Sequence, residues 1–105
     1  MRPASCEVVK TIEHTSRIST LFLQPAPEGI PRPGQFVMVW VRGEDEVPMA
    51  VSHYKDGVLG ITVQSVGTTT ERLCSMQEKD TVGVRGYYGN GFSLDASSAI
   101  LIGGG

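Results

Sequence analysis

Short runs of alternating apolar and polar residues, each ended by turn-forming residues, are the feature that most constrains how this chain can fold. Alternation places successive side chains on opposite faces, as in a half-buried strand. Such runs cover residues 6–14, 17–24, 35–42, 47–54, 58–66, 81–85 and 99–102. Only residues 71–76 have the composition of a short helix. The sequence therefore predicts an all-β barrel or sandwich.

The segments between these runs carry strong turn signals. Segment 25–34 holds four prolines, which remove backbone donors and fix φ, so we expect a stiff surface loop there. Lys55, Asp56 and Gly57 predict a hairpin turn, since Asp-Gly favours the left-handed backbone that tight hairpins need. Residues 86–92 predict a glycine-rich loop that lets a ligand approach the main chain closely.

The stretch 66–73 is the first candidate for a binding site. Gly67 is expected to let the backbone turn after a strand, and Thr68, Thr69 and Thr70 offer oxygens that can cap a helix. The first N–H groups of a helix have no internal partner and attract anions. This interpretation places a pyrophosphate at the N–H groups of residues 67–71. An ordinary capped connection between two elements is the alternative.

Length, charge and cysteine content exclude several functions. The 105 residues are the size of one domain, and a formal net charge of −2 lacks the basic surface of a nucleic-acid binder. No apolar run is long enough to span a membrane, so we expect a soluble, cytoplasmic protein. The two cysteines, Cys6 and Cys74, do not suggest a metal site and are interpreted as core thiols.

No catalytic or metal-binding set can be identified. His14 and His53 have no carboxylate or nucleophile at a telling spacing, and residues 44–46 fit a solvated acidic turn. The aromatic residues Trp40, Tyr54, Tyr87 and Tyr88 could stack on a ring ligand or fill the core, and Tyr54 is the best candidate for a ligand contact.

Four segments together resemble the FAD-binding domain of the ferredoxin-reductase superfamily, and in particular the electron-transfer subunit of dihydroorotate dehydrogenase. They are Pro-Gly-Gln-Phe at 33–36, Val-Pro-Met-Ala-Val-Ser at 47–52, Gly-Thr-Thr-Thr-Glu-Arg-Leu at 67–73 and Gly-Tyr-Tyr-Gly-Asn-Gly-Phe at 86–92. The resemblance implies a six-stranded antiparallel Greek-key barrel with one short helix that holds FAD across its open face.

The resemblance also implies which residues contact the cofactor. They are Pro48, Met49, Ala50, Val51, Ser52 and Tyr54 on one strand, Val63, Gln64 and Ser65 at the end of the next, and Gly67, Thr68, Thr69 and Thr70 at the turn. The chain differs from the family pattern at four positions: Val47 where the family has arginine, Ala50 where it has serine, Gln64 where it often has a cation and Thr69 where it has the second glycine. Ser52 can replace the missing hydroxyl if it lies on the same face as Ala50.

The resemblance divides the chain into a barrel at 1–98 and the start of a nucleotide-binding domain at 99–105. It implies a flavoprotein oxidoreductase component that passes electrons between a flavin and iron-sulfur chain and NAD in pyrimidine biosynthesis. The implied partner is the dihydroorotate dehydrogenase catalytic subunit or another redox protein, and a homo-oligomer is an open alternative. We expect the 105 residues alone to lack NAD-dependent activity. A flavin-free β-barrel that serves as an interaction or assembly module is the alternative function.

Overall fold

Six antiparallel strands and one helix form in residues 4–89, the part of the chain that the computed structural model describes. The strands are β1 (Ala4–Glu13), β2 (Ile18–Gln24), β3 (Phe36–Trp40), β4 (Val47–Lys55), β5 (Val58–Gln64) and β6 (Thr81–Tyr88), with helix α1 (Thr68–Cys74) between β5 and β6. They close into a barrel in the order β1-β2-β5-β4-β3-β6. The predicted six-stranded Greek-key barrel with one short helix is confirmed.

The alternating residues of the strands build the core. Leu21 of β2 lies opposite Ile61 of β5, and both are fully buried. Val37, Val39 and Val41 face the same interior from β3 and the residue after it. The buried apolar cluster consists of Cys6, Val8, Leu21, Leu23, Val37, Val39, Val41, Leu59, Ile61, Val63, Leu73, Val82 and Val84. Cys6 is thus the core thiol that was predicted, whereas Cys74 is only half-buried.

The hairpin between β4 and β5 forms at the predicted turn. Asp56 and Gly57 both have positive φ, at 50° and 80°, which is the conformation that a two-residue hairpin turn requires. Ala26 of the proline-rich loop donates its N–H to the carbonyl oxygen of Gly57 at 2.8 Å. The turn therefore sets the register of two strands and also anchors one end of the loop.

Two boundaries differ from the sequence prediction by three residues, and most others by one or two. Strand β6 continues to Tyr88, so Gly86, Tyr87 and Tyr88 belong to a strand and not to a glycine-rich loop. Helix α1 begins at Thr68, three residues before the predicted start, because Thr70 stabilises the first turn through its own side chain. The predicted strand at 99–102, the domain start at 99–105 and the loop residues 90–92 lie outside the described residues. Within residues 4–89, α1 is too short to cross a bilayer.

A two-point ion pair joins β6 to the residue before β4. Arg85 donates from Nε and Nη2 to the two carboxylate oxygens of Glu46, each at 2.6 Å, and its Nη1 donates to the Tyr88 hydroxyl at 3.3 Å. These hydrogen bonds hold the pKa of the Glu46 carboxyl below its usual value. The pair fixes the entry of β4 against β6.

Replacing Glu46 with glutamine should remove a pH-dependent part of the stability. A carboxyl whose pKa is lowered by folding stabilises the protein above its unfolded pKa, near 4.5, and loses that contribution as the pH falls through the folded pKa. We expect E46Q to unfold at lower urea concentration than the parent at pH 7, and the difference to shrink below pH 4.5. An equal difference at pH 7 and pH 3 would show that charge is not the cause.

Candidate functional site

A groove of about 350 Å³ lies between the proline-rich loop and the second half of β4. Its walls are residues 31–35 of the loop and residues 50–54 of the strand, and the groove is mainly apolar with a few polar groups. This balance of apolar walls and few polar groups is typical of small-molecule sites. We call it the β4 groove.

Gln35 fixes the shape of the loop wall. Its amide nitrogen Nε2 donates to the carbonyl oxygen of Gly89 at 2.9 Å, while its Oε1 accepts from the Arg32 N–H at 2.8 Å. The Gln35 N–H donates to the Arg32 carbonyl at 3.1 Å, which closes a turn with Pro33 and Gly34 at its centre. Gly34 has φ of 89°, a value that suits glycine at this turn position. The Pro-Gly-Gln motif therefore builds one wall of the groove.

Removing the Gln35 side chain should loosen that wall. Q35A loses two hydrogen bonds, so we expect a decrease of about 1–2 kcal/mol in the free energy of unfolding and faster amide hydrogen exchange at residues 32–35. Q77A is the matched control, because among the described residues the Gln77 side chain has no hydrogen-bond partner. Equal stability and exchange in the two variants would contradict the role given to Gln35.

Strand β4 presents alternate residues to the core and to the groove. Val47 and Met49 are half-buried and pack against the core cluster. Ala50 and Ser52 both line the groove, so the expectation that Ser52 shares the face of Ala50 agrees with the structure. Val51 both packs on the core and reaches the groove. A bulge between Val51 and His53 breaks the alternation and brings His53 and Tyr54 to the same groove.

The other predicted contact residues are not brought to this groove. Pro48 is exposed earlier on β4 and Met49 faces the core. Val63 is fully buried in the core, so a contact between Val63 and a ligand would have to use its backbone. Gln64 is exposed, and Ser65 donates its N–H to the Arg17 carbonyl at 2.8 Å.

The start of α1 is stabilised by the chain's own groups. Thr70 Oγ1 accepts from the N–H groups of Val66 and Gly67, each at 2.9 Å, and the Thr69 hydroxyl donates to the Asp45 carbonyl at 3.1 Å. Gly67 has extended φ of −162°, which any residue adopts, so the expectation of a special glycine turn here is wrong.

These internal bonds reduce the donors that the predicted pyrophosphate site could use. The Glu71 N–H donates to the Gly67 carbonyl at 2.8 Å, and the Gly67 N–H is taken by Thr70. Of the five N–H groups at residues 67–71, those of Thr68, Thr69 and Thr70 have no acceptor within the described residues 4–89. The hydroxyls of Thr69 and Thr70 therefore stabilise the helix start, as in the alternative of an ordinary capped connection. The placement of a pyrophosphate here stays a prediction.

The aromatic candidates separate into different roles. Tyr54 lines the β4 groove, as expected for the best ligand contact. The Tyr88 ring packs on Phe36 with centroids 5.7 Å apart. Tyr87 donates its hydroxyl to the Pro27 carbonyl at 3.2 Å, and burial raises the pKa of this hydroxyl to about 12. Trp40 is 41% exposed and is not a core residue.

Six groove residues were not among the predicted contact residues, and three of the six have polar side chains. Arg32 brings the only cationic side chain of the described lining, and Gln35 and His53 bring further polar groups. The Pro-Gly-Gln motif was a usable signal for Arg32 and Gln35, because Gln35 belongs to the motif and Arg32 directly precedes it. His53 could not be found from alternation, because the bulge in β4 changes the face on which it lies.

A second groove of about 450 Å³ is larger, but of the predicted candidates it contains only the aromatic residue Trp40. Trp40, Arg42, Ser5 and residues 81–83 line it. We favour the β4 groove because it unites the Pro-Gly-Gln turn with four of the predicted contact residues, Ala50, Val51, Ser52 and Tyr54.

Comparison with known proteins shows what the chain as a whole is similar to. No protein-family model matches the chain. The probable dihydroorotate dehydrogenase B (NAD(+)), electron transfer subunit, of Methanocella arvoryzae is 44% identical over 105 residues, which are all of this chain and 39% of that protein. The chain therefore spans about two fifths of the length of this relative.

Solved structures share the barrel. The NADH-dependent reduced ferredoxin-NADP oxidoreductase, studied for flavin-based electron bifurcation, superposes with a TM-score of 0.74 at 29% identity, over 86% of this chain and 34% of that one. A ferredoxin NADP+ reductase from Neisseria gonorrhoeae with bound FAD and NADP gives 0.67 at 18% identity, over 77% and 35%.

These similarities define the class of the domain: it resembles the FAD-binding barrels of the ferredoxin-reductase superfamily. Within that superfamily, the chain resembles the electron transfer subunits of dihydroorotate dehydrogenase B.

Proposed function

We propose that the chain is a flavin-binding electron-transfer domain that holds FAD along β4, with the ring system in the β4 groove. The observation that carries the proposal is the groove itself, whose two walls are formed by segments of the family resemblance, residues 33–35 and 50–52. The sequence similarity to electron transfer subunits and to a flavin-dependent oxidoreductase supports the choice of ligand.

The groove suits a flat, partly polar ring. Its apolar lining, from Pro31, Pro33, Ala50 and Val51, can cover ring faces. Tyr54 provides a hydroxyl that can donate to ring or side-chain oxygens, and Ser52 provides an oxygen that can accept a hydrogen bond. Arg32 supplies a cation at the loop wall, beside the proposed place of the ring system. The structure therefore offers one charged and several neutral hydrogen-bonding groups to a flavin nucleotide.

Strand β4 connects the groove to the start of α1. The Thr69 hydroxyl is bonded to the carbonyl of Asp45, two residues before β4 begins. Residues 47–52 extend about 17 Å at ~3.3 Å per residue. An extended dinucleotide can follow this strand, with its pyrophosphate directed toward the N–H groups of Thr68, Thr69 and Thr70. Bound FAD would supply the electron uptake and release; the protein's residues position it and limit access of water.

The same proposal extends to the role that this domain would have within a protein as long as its relatives. The relatives named as electron transfer subunits are about two and a half times as long as this chain, so the remaining functions need residues beyond these 105. We propose that, within such a protein, the domain passes electrons between NAD and an iron-sulfur centre in pyrimidine biosynthesis. Its partner would be a dihydroorotate dehydrogenase catalytic subunit.

Titration of the purified chain with FAD tests the binding proposal. We expect saturable quenching or enhancement of flavin fluorescence with one FAD per chain, together with a perturbed visible spectrum. FMN, which lacks the second phosphate and the adenosine, should bind more weakly because it forgoes the contacts along β4. No saturable change with FAD would favour the flavin-free interaction module instead.

A further inference from the structure

A continuous row of five hydrogen-bonded side chains crosses the outer surface of β2, β5 and β4. His14 Nε2 is 2.7 Å from Thr20 Oγ1, which is 2.8 Å from Thr62 Oγ1. Thr62 Oγ1 is 3.1 Å from Ser52 Oγ, which in turn is 3.0 Å from His53 Nδ1. Thr20 and Thr62 are direct cross-strand partners, so the sheet register brings their hydroxyls together. One end of the row is exposed at His14, and the other lies in the β4 groove.

The row has a single direction. A hydroxyl has one hydrogen, and Thr62 donates its own to Ser52, so Thr62 must accept from Thr20. Thr20 in turn accepts from His14, which places a hydrogen on His14 Nε2. Ser52 then has its hydrogen free, and the row continues in the same direction if Ser52 donates it to His53 Nδ1, which puts the hydrogen of the neutral His53 ring on Nε2. In this arrangement every donor in the row points from His14 toward His53.

We propose that this row carries a proton from solvent at His14 to the β4 groove, and so supplies the proton that a flavin in the groove takes up on reduction. The inference rests on the proposed function of the groove. As His14 takes a proton from water at Nδ1, its Nε2 proton passes to Thr20. Thr20 passes its own to Thr62, Thr62 to Ser52 and Ser52 to His53 Nδ1. His53 then releases its Nε2 proton. The row moves no electrons; the flavin's two electrons come from its redox donor.

Burial of one member and cover over the groove end favour a defined path over random access of water. Thr20, the second member of the row, is only 1% exposed, whereas Thr62, Ser52 and His53 are exposed in the chain without a ligand. An occupant of the groove covers Ser52 and His53, because both line it. The His53 ring lies 5.5 Å from the Phe22 ring and packs directly over Gly60, where an added Cβ would stand 2.7 Å from His53 Cβ. Glycine at position 60 therefore leaves the space that the last member of the row occupies.

The first arm of the test uses the chain without flavin. Nitrogen NMR of the two imidazoles, at a pH where both rings are neutral, should show hydrogen on Nε2 in each. Hydrogen on Nδ1 of either ring would reverse that end of the row and overturn the proposed direction, whether or not FAD binds.

The second arm follows proton uptake by the FAD-loaded chain. Reduced methyl viologen donates single electrons and no proton, so two molecules reduce one flavin while the proton comes from solvent. A pH-indicator dye reports its uptake and the flavin absorbance reports reduction. We expect T62V, which keeps the shape but lacks the hydroxyl, to slow proton uptake roughly tenfold or more. T62S should restore it, and T81V should match the parent, since Thr81 is exposed and its hydroxyl is unbonded within residues 4–89.

The outcomes separate the two proposals. If FAD fails to bind, the proposed function falls and this inference falls with it. If FAD binds normally and T62V takes up protons at the parent rate, only the inference is overturned, because water then reaches the flavin directly. Loss of FAD binding in T62V would also contradict the inference, since Thr62 would then act in binding and not in proton transfer.

Discussion

A tryptophan at position 50 should abolish FAD binding without unfolding the barrel. Ala50 is half-buried and lines the β4 groove opposite the loop wall, so an indole there fills the space that we assign to the flavin ring. We expect A50W to weaken FAD binding at least roughly 100-fold, equivalent to about 2.7 kcal/mol or more. Fluorescence titration of both proteins under identical conditions measures the difference.

The matched control for this variant is K55W. Lys55 is exposed at the end of the same strand and does not line the groove, so the same indole should leave FAD affinity within about twofold of the parent value. Urea unfolding of both variants checks that the barrel remains intact. Normal affinity in A50W would place the flavin elsewhere.

Truncation of Leu21 should cause the largest loss of stability. Leu21 is fully buried at the barrel centre, where it lies opposite Ile61 on β5 and Thr11 on β1. L21A removes buried methyl groups and leaves a cavity, which typically costs about 2–5 kcal/mol. For a domain of this size, such a loss lowers Tm by roughly 10–30 °C.

Ile30 provides the control for the core substitution. It is 78% exposed in the proline-rich loop, so I30A should change the free energy of unfolding by no more than about 0.5 kcal/mol. Thermal and urea unfolding of the two variants measure the contrast. A comparable loss in both would mean that the buried cluster does not hold the barrel together.

The strands and the hairpin turn were predictable because they depend on local patterns. Alternation in residues 58–66 placed Leu59, Ile61 and Val63 on one face, and all three are buried in the core. Asp56-Gly57 has one strongly favoured turn conformation, so its position set the β4 and β5 register from the turn back to the bulge. The barrel closure between β1 and β6 could not be read from alternation, because it pairs residues about 75 positions apart through backbone groups that every residue has.

The site was harder to predict for a different physical reason. Glycine and threonine at 67–70 indicated an anion site, but the same residues satisfy one another when Thr70 caps the helix start. Valine at 47 was interpreted as a lost phosphate contact, whereas its side chain packs against the core. His53 reaches the groove through a bulge, and a bulge changes the face of every residue that follows it. Local patterns therefore identified the strand, but not which of its side chains meet the ligand.

Mapping amide chemical shifts during FAD addition shows directly where the flavin lies. We expect the largest changes on residues 31–35 and 50–54, the two walls of the β4 groove, and we expect them to saturate together with the flavin fluorescence. Smaller changes should reach Thr68, Thr69 and Thr70. Changes centred on Trp40, Arg42 and residues 81–83 would place the ligand in the larger groove, and the assignment of the β4 groove as the flavin site would be wrong.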